Sequence, residues 1–160
     1  MTIRTLAHLT VTPGMRVLVR ADFDVVAHGD AIPDTSRIEA VLPTINFLLE
    51  RGAHVRLMAH RGRPGGVVNS TFSLGPVASF LSQTLNRQIL LVENIFADTT
   101  ADADVILFEN LRFWADEERD DPAFAQALAA HGDVYINEAF AACHRRHASI
   151  VALARLLPAY

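Results

Sequence analysis

Lysine is absent from this chain, and its 14 permanently cationic side chains are all arginine. A chain without lysine cannot supply the lysine of a phosphate-binding P-loop, a Schiff base or a lysine general base. P-loop ATPase chemistry carried by this chain alone is therefore excluded.

Cysteine is nearly absent, since Cys143 is the only one. No disulfide can form within the chain, which predicts a reducing, cytoplasmic environment. His144 follows Cys143, and a neighbouring cation can lower the pKa of a thiol. A neighbour in sequence is not a base positioned in space, and no third orienting group is evident, so the pattern does not favour a catalytic cysteine.

The chain also lacks a net positive charge and a long apolar run. Its formal net charge is −4, so no overall basic field is available to hold nucleic acid or an anionic membrane surface. No run approaches the roughly 18 apolar residues that cross a bilayer, and residues 1–10 contain no signal-like apolar core. We expect neither a nucleic-acid nor a membrane partner.

Short apolar runs alternate with helical patterns along the 160 residues, 51% of which are hydrophobic. Strands are predicted at 15–20, 54–59, 89–92, 105–108 and 134–136, and helices at 36–51, 73–85, 122–130 and 149–157. Such alternation is typical of a parallel sheet with helices on both faces. The sequence predicts one α/β domain over residues 1–160, a three-layer, Rossmann-like open parallel β-sheet.

Four polar clusters follow the predicted strands, and each contains arginine or histidine. They occupy residues 20–22, 60–64, 109–113 and 144–147. Ligands of open parallel sheets bind in the crevice outside the carboxyl ends of the strands. Because guanidinium groups match phosphate and carboxylate oxygens, we expect these arginines to converge on one anionic ligand.

Several short motifs follow one another in an order that is more specific than any single motif. They are VLVRADF (17–23), SRI (36–38), LPTI (42–45), HRGRP (60–64), FSL (72–74), ENLRF (109–113), GDVY (132–135) and the run 139–147. Together they resemble the N-terminal domain of phosphoglycerate kinase over almost the whole chain. The resemblance implies the fold of that N-terminal lobe.

The resemblance also implies a two-lobed enzyme that moves a phosphoryl group between 1,3-bisphosphoglycerate and MgADP. In that family the N-terminal lobe binds phosphoglycerate and the C-terminal lobe binds the nucleotide. By resemblance, Arg37 is the candidate catalytic residue, which stabilises the transferring phosphoryl group. The candidate substrate-binding residues are Asp22, Asp24, His60, Arg63, Arg112 and Arg145, and Arg20 and His144 support them. Phosphoryl transfer needs positioning and charge neutralisation rather than a nucleophilic side chain.

We expect no cofactor to be bound by this chain itself. No glycine-rich nucleotide loop follows a predicted strand, so MgATP or MgADP would bind only through a C-terminal lobe beyond Tyr160. The expected partners are the small anion 3-phosphoglycerate and a separate nucleotide-binding lobe, and the isolated chain should not turn over ATP. No metal site is predicted, because the arginines between His144 and His147 would repel a cation.

Departures from the family pattern leave a second interpretation open. The family has asparagine where this chain has Asp24, and two like charges at 4 Å repel by roughly 4 kcal/mol at an effective dielectric near 20. Glu138 and Ala141 replace an aspartate and a glycine of the family. The alternative is a truncated, noncatalytic anion-binding or regulatory relative. A nucleotide lobe encoded after Tyr160 would favour the kinase, and a stop codon the relative.

Some of these residues also have simple structural interpretations. Asp22 could form an ion pair with a neighbouring arginine, and His60 could serve packing or capping at a strand end. The acidic run 116–118 is predicted to be a solvated face. Arg61 and Arg146 are additional cations that would offset Asp24 if they faced the same cleft.

Overall fold

The computed structural model describes residues 4–97 and 103–160. Within these residues, five parallel strands form a single sheet in the order β3-β4-β2-β1-β5. The strands are β1 (Arg16–Arg20), β2 (His54–Met58), β3 (Ile89–Val92), β4 (Val105–Phe108) and β5 (Val134–Asn137). The predicted parallel α/β sheet is confirmed, and every predicted strand is present.

The helices of the described residues cover both faces of the sheet. They are α1 (Ser36–Leu49), α2 (Gly75–Leu85), α3 (Ala115–Glu118) and α4 (Pro122–Ala129). One hydrophobic cluster joins α1 and α2 to the sheet, and a second joins α4 and the C-terminal segment to the opposite face. None of the helices in the described part of the chain is long and apolar enough to cross a membrane.

The apolar pattern explains why β1 lies in the interior of the sheet, with a strand on each side. Val17 and Val19 belong to the cluster under α1 and α2, whereas Leu18 belongs to the cluster under α4. Since successive side chains point to opposite faces of a strand, β1 is buried on both sides, as parallel sheets require. β1 lies between β2 and β5, and ligands of open parallel sheets bind outside the carboxyl ends of strands where the strand order reverses in this way.

The predicted α-helix at 149–157 is wrong. Residues Ala148–Ala152 form a π-helical turn that is followed by a 3₁₀ turn at Leu153–Arg155. The Ala152 N–H donates to Asp120 Oδ1 at 3.1 Å, and the Ser149 carbonyl accepts the Tyr135 hydroxyl at 2.8 Å. In an α-helix the Leu153 N–H would donate to the Ser149 carbonyl, whereas here it donates to the Ala148 carbonyl and Tyr135 occupies that of Ser149.

Candidate functional site

The candidate site is built from loops at the carboxyl ends of the central strands. Arg20 is the last residue of β1, His60 lies two residues after β2, and Arg112 lies four residues after β4. The loop after β5 contributes residues 144–147. Thus the strand topology brings together polar clusters that are far apart in sequence.

Arg37 and Asp22 form an ion pair at the edge of the site. The Arg37 Nη1 donates to Asp22 Oδ2 at 2.7 Å. Arg37 lies in the first turn of α1 and its side chain is about half exposed, whereas most of the Asp22 side chain is buried. The ion-pair interpretation of Asp22 is therefore correct, with Arg37 as its partner. The pair leaves about half of the Arg37 side chain exposed to solvent.

Asp24 also lies against the basic cluster. Its Oδ1 accepts a hydrogen bond of 2.8 Å from the Gly62 N–H, and its Oδ2 lies 3.6 Å from His60 Nε2. Contact with His60, together with the Gly62 N–H, holds the pKa of Asp24 well below its usual range despite the opposing effect of burial. Asp24 is therefore an anion inside the region where the sequence predicts an anionic ligand.

Gly62 connects the two sides of this cluster. Its N–H donates to Asp24, and its carbonyl accepts from Arg112 Nη1 at 2.7 Å. The residue has φ +64°, and a Cβ at this position would lie 2.4 Å from the Phe72 ring. Only glycine satisfies both the backbone conformation and the available space.

Arg112 carries a buried positive charge with unused donors. Its side chain is 2% exposed, and Nε lies 3.3 Å from Glu118 Oε1 without forming a hydrogen bond. Nη2 has no hydrogen-bond partner either within residues 4–97 and 103–160. Burial, and secondarily the nearby Arg145, lower the pKa of Arg112. A buried donor left unpaired is costly, so an anion at this position would supply the acceptors that Arg112 lacks.

His147 lies beside the same arginines. It is buried, its Nδ1 has no hydrogen-bond partner among the described residues, and this atom lies 3.8 Å from Glu117 Oε1. Burial lowers the pKa of His147, and Arg112 and Arg145 act in the same direction against the opposing charges of Glu117 and Glu118. Arg63 and His144 have exposed side chains in the loops that follow β2 and β5.

Arg20 lies beneath the site and is completely buried. Its Nε donates to Ser149 Oγ at 2.8 Å, its Nη1 donates to the Ala21 carbonyl, and its Nη2 lies 2.9 Å from His60 Nδ1. The Ser149 hydroxyl in turn donates to Glu117 at 2.5 Å. Sequence reasoning missed Glu117 and Ser149; a serine within an apolar run was the only signal available for the latter.

The prediction of a solvated acidic face at 116–118 is wrong for Glu117. This residue is 0% exposed, because the short helix α3 places its carboxylate against the N–H and hydroxyl of Ser149. Asp116 lies on the outside of the helix and pairs with Arg119 at 3.6 Å.

Arg61 and Arg146 are engaged away from the Asp24 carboxylate. Arg61 is buried, and its guanidinium donates to the carbonyls of Val25 at 3.1 Å and Ser73 at 2.6 Å. Arg146 is largely exposed and pairs with Asp120 at 3.0 Å. Neither arginine hydrogen-bonds to the Asp24 carboxylate, so neither forms the ion pair that would offset the charge of Asp24.

The Cys143 thiol accepts from the Asn137 amide at 3.2 Å and lies 3.6 Å from the Ala139 carbonyl. Neither contact provides a general base. Within residues 4–97 and 103–160, no three histidine, cysteine or acidic side chains form a metal-binding group.

The parallel sheet, with helices on both faces and arginines at the carboxyl ends of its strands, defines the class of open parallel α/β domains. Comparison with known proteins narrows that class. The family model described as phosphoglycerate kinase matches residues 8–160. The chain therefore belongs to the phosphoglycerate kinase family.

Individual relatives agree with this assignment. The chain is 48% identical over 164 residues to a phosphoglycerate kinase of Methylorubrum extorquens (strain PA1), covering 98% of this chain and 41% of that protein. It is 46% identical over 167 residues to one of Sinorhizobium medicae (strain WSM419), covering 100% and 42%. The solved phosphoglycerate kinase from Coxiella burnetii matches with a TM-score of 0.88 and 32% identity, over 96% of this chain and 39% of that chain. The chain spans about two fifths of the length of these relatives and corresponds to their N-terminal portion.

Proposed function

We propose that this chain is the acceptor lobe of a phosphoglycerate kinase. It would hold 3-phosphoglycerate or 1,3-bisphosphoglycerate, while a separate nucleotide-binding lobe holds MgATP or MgADP for the phosphoryl transfer of glycolysis. The observation that carries the proposal is the buried Arg112 beside Arg145, because two Arg112 nitrogens have no hydrogen-bond partner in the part of the chain that the structure describes. A phosphate or carboxylate group would supply charge-assisted acceptors to both arginines.

The remaining residues divide into two roles. Arg37 is the candidate group for the transferring phosphoryl, because Asp22 holds its guanidinium at the edge of the cleft where a second lobe has access. His60 and Arg63, in the loop after β2, would orient the substrate. Positioning and charge neutralisation of this kind are what phosphoryl transfer asks of a protein.

One observation favours a second candidate function, that of a noncatalytic anion-binding or regulatory relative. The Asp24 carboxylate already accepts the Gly62 N–H and lies beside His60, so a ligand anion at this point meets a like charge. Such a domain would bind anions weakly and would not support turnover even with a nucleotide lobe.

Calorimetry on the isolated chain tests the proposal. We expect weak binding of 3-phosphoglycerate that weakens further as salt is added, because the contacts are between charges, and we expect no binding of MgATP. Arg145→Ala should reduce the affinity, whereas the neighbouring Arg146→Ala should leave it unchanged, since Arg146 pairs with Asp120. Tighter binding of MgATP than of 3-phosphoglycerate would contradict the assignment of this lobe.

A turnover assay separates the two candidates. The chain is joined to the nucleotide-binding lobe of a relative, and formation of ATP from 1,3-bisphosphoglycerate and MgADP is measured. Turnover favours the kinase, whereas binding of 3-phosphoglycerate without turnover favours the noncatalytic relative.

A further inference from the structure

A buried row of side chains connects α3 to the histidine of the site. Glu117 Oε1 accepts from the Ser149 hydroxyl at 2.5 Å, and Ser149 Oγ accepts from Arg20 Nε at 2.8 Å. Arg20 Nη2 then lies 2.9 Å from His60 Nδ1. All four residues are more than nine-tenths buried. Water therefore reaches none of the row except the edge of His60.

The chemistry of these groups determines the direction of every hydrogen bond in the row. An ionised carboxylate only accepts, so the single proton of the Ser149 hydroxyl is directed to Glu117. The lone pairs of that hydroxyl are then free for the Arg20 Nε–H. A guanidinium only donates, so His60 Nδ1 must accept from it and the ring proton must reside on Nε2.

The protonated nitrogen of His60 faces the cleft, where Nε2 lies 3.6 Å from Asp24 Oδ2. The charged groups around the ring are Arg20 from β1, Asp24 from the following loop and Arg112 from the loop after β4. Burial lowers the pKa of His60, and the two arginines lower it further against the opposing effect of Asp24. The ring is thus neutral near pH 7 and retains one donor toward the cleft.

We propose that Glu117 and Ser149 are positioning residues that act through Arg20 to fix His60 as an Nε2–H donor facing the anion-binding cleft. His60 then offers a ligand oxygen a directed hydrogen bond from a neutral ring. The state of the ring follows from the row itself, whereas its use by 3-phosphoglycerate rests on the proposed function.

Nitrogen NMR of the imidazole rings tests the inference in the ligand-free chain. At pH 7 we expect the His60 spectrum to show a protonated Nε2 and an unprotonated Nδ1. Ser149→Ala removes the acceptor of the Arg20 Nε–H and should produce a measurable population of the other tautomer. An Nδ1–H tautomer in the unmodified chain, or identical His60 spectra with and without Ser149→Ala, would overturn the proposal.

Tyr135→Phe is the matched control. Its hydroxyl donates to the Ser149 carbonyl at 2.8 Å, so this change removes a buried hydroxyl from the same region but leaves the row intact. The His60 spectrum should remain that of the unmodified chain. A tautomer shift as large as that of Ser149→Ala would reveal general loosening of the core and would count against a specific row.

Glu117→Gln is a second test that keeps the side-chain volume, and it replaces Ser149→Ala if that variant does not fold. The amide turns one of the two acceptors into a donor, so it competes with the bonds from the Ser149 N–H and hydroxyl. We expect the same change of the His60 tautomer, and an unchanged spectrum would overturn the proposal. Addition of 3-phosphoglycerate to the unmodified chain then tests the function separately. If His60 is an Nε2–H ring but its spectrum does not change with 3-phosphoglycerate, the proposed substrate is contradicted and the row is still supported.

Discussion

The Asp24 carboxylate accepts a hydrogen bond of 2.8 Å from the backbone N–H of Gly62. The same glycine binds Arg112 through its carbonyl, so a negative side chain is fixed next to a buried cation that has unused donors. In the ligand-free chain, Asp24 therefore supplies part of the negative charge that a substrate would otherwise bring.

Replacement of Asp24 by asparagine should tighten the binding of 3-phosphoglycerate. The change removes a like charge from the cleft, and we expect a gain of about 1–3 kcal/mol, the scale of one charge-assisted contact, or roughly 5- to 150-fold in Kd. The melting temperature of the free chain should fall slightly or stay level, since an amide oxygen can still accept from Gly62. Calorimetry and thermal melts measure the two effects.

Asp133→Asn is the control for this change in net charge. Asp133 pairs with Arg16 at 2.6 Å, at the amino end of the sheet and far from the cleft. Its replacement should leave the Kd unchanged. Equal affinity gains in both variants would show a general charge effect, and no gain in Asp24→Asn would remove the main support for the noncatalytic anion-binding relative.

Arg37→Ala should depress turnover by orders of magnitude while weakening substrate binding much less. Groups of this kind contribute to phosphoryl transfer chiefly in the transition state. The measurement is a comparison of kcat with the Kd of 3-phosphoglycerate, made after the chain is joined to a nucleotide lobe. Arg51→Ala, just beyond the other end of α1, is the control, because Arg51 stacks on Phe47 outside the site. Equal losses in kcat and affinity would mean that Arg37 only holds the substrate.

Arg112→Met should weaken binding without a large loss of stability. Binding of 3-phosphoglycerate should weaken at least about tenfold, since the loss of a charge-assisted contact is worth roughly 1.5–3 kcal/mol. The melting temperature of the chain should change little, because removal of a buried cation with two unpaired nitrogens offsets the loss of its hydrogen bond to the Gly62 carbonyl. A large loss of stability would indicate that Arg112 is mainly a structural residue.

Acidification should destabilise the chain partly through His60. Its pKa lies below the usual value near 6.5, so the unfolded chain binds a proton before the folded chain does. The free energy of unfolding should therefore decrease as the pH falls through about 6.5 and below. His60→Gln should reduce this slope, and a further His147→Gln should reduce it again, since burial also lowers the pKa of His147. Urea titrations between pH 5 and 8 measure the free energy of unfolding at each pH. If burial does not disfavour the charged rings, the variants will show the same dependence on pH as the unmodified chain.

The fold was largely predictable because short apolar runs bounded by polar residues specify strands locally. The predicted bounds of β3 and β4 agree with the structure, and those of β1, β2 and β5 differ by one residue each. The motif order predicted the family as well, and that prediction is confirmed. The roles of the site residues stay predictions, although the strand ends do place most of them near each other.

The irregular turns in place of a C-terminal α-helix were not predictable. Their backbone groups bind Tyr135 and Asp120, which come from other parts of the chain. The sequence also could not show that Glu117 is buried while Glu118 is exposed. Both lie in one acidic run, yet only Glu117 is buried, against a serine 32 residues away.

Local pattern and composition specify the order of the strands and helices along the chain, the family, and the absence of any lysine chemistry. Three features of the site depend instead on the folded chain: Asp24 binds the Gly62 N–H beside His60, Arg61 donates to backbone carbonyls, and a buried row orients His60. The charge and hydrogen bonding of a buried polar group depend on partners distant in sequence, and packing alone brings those partners together.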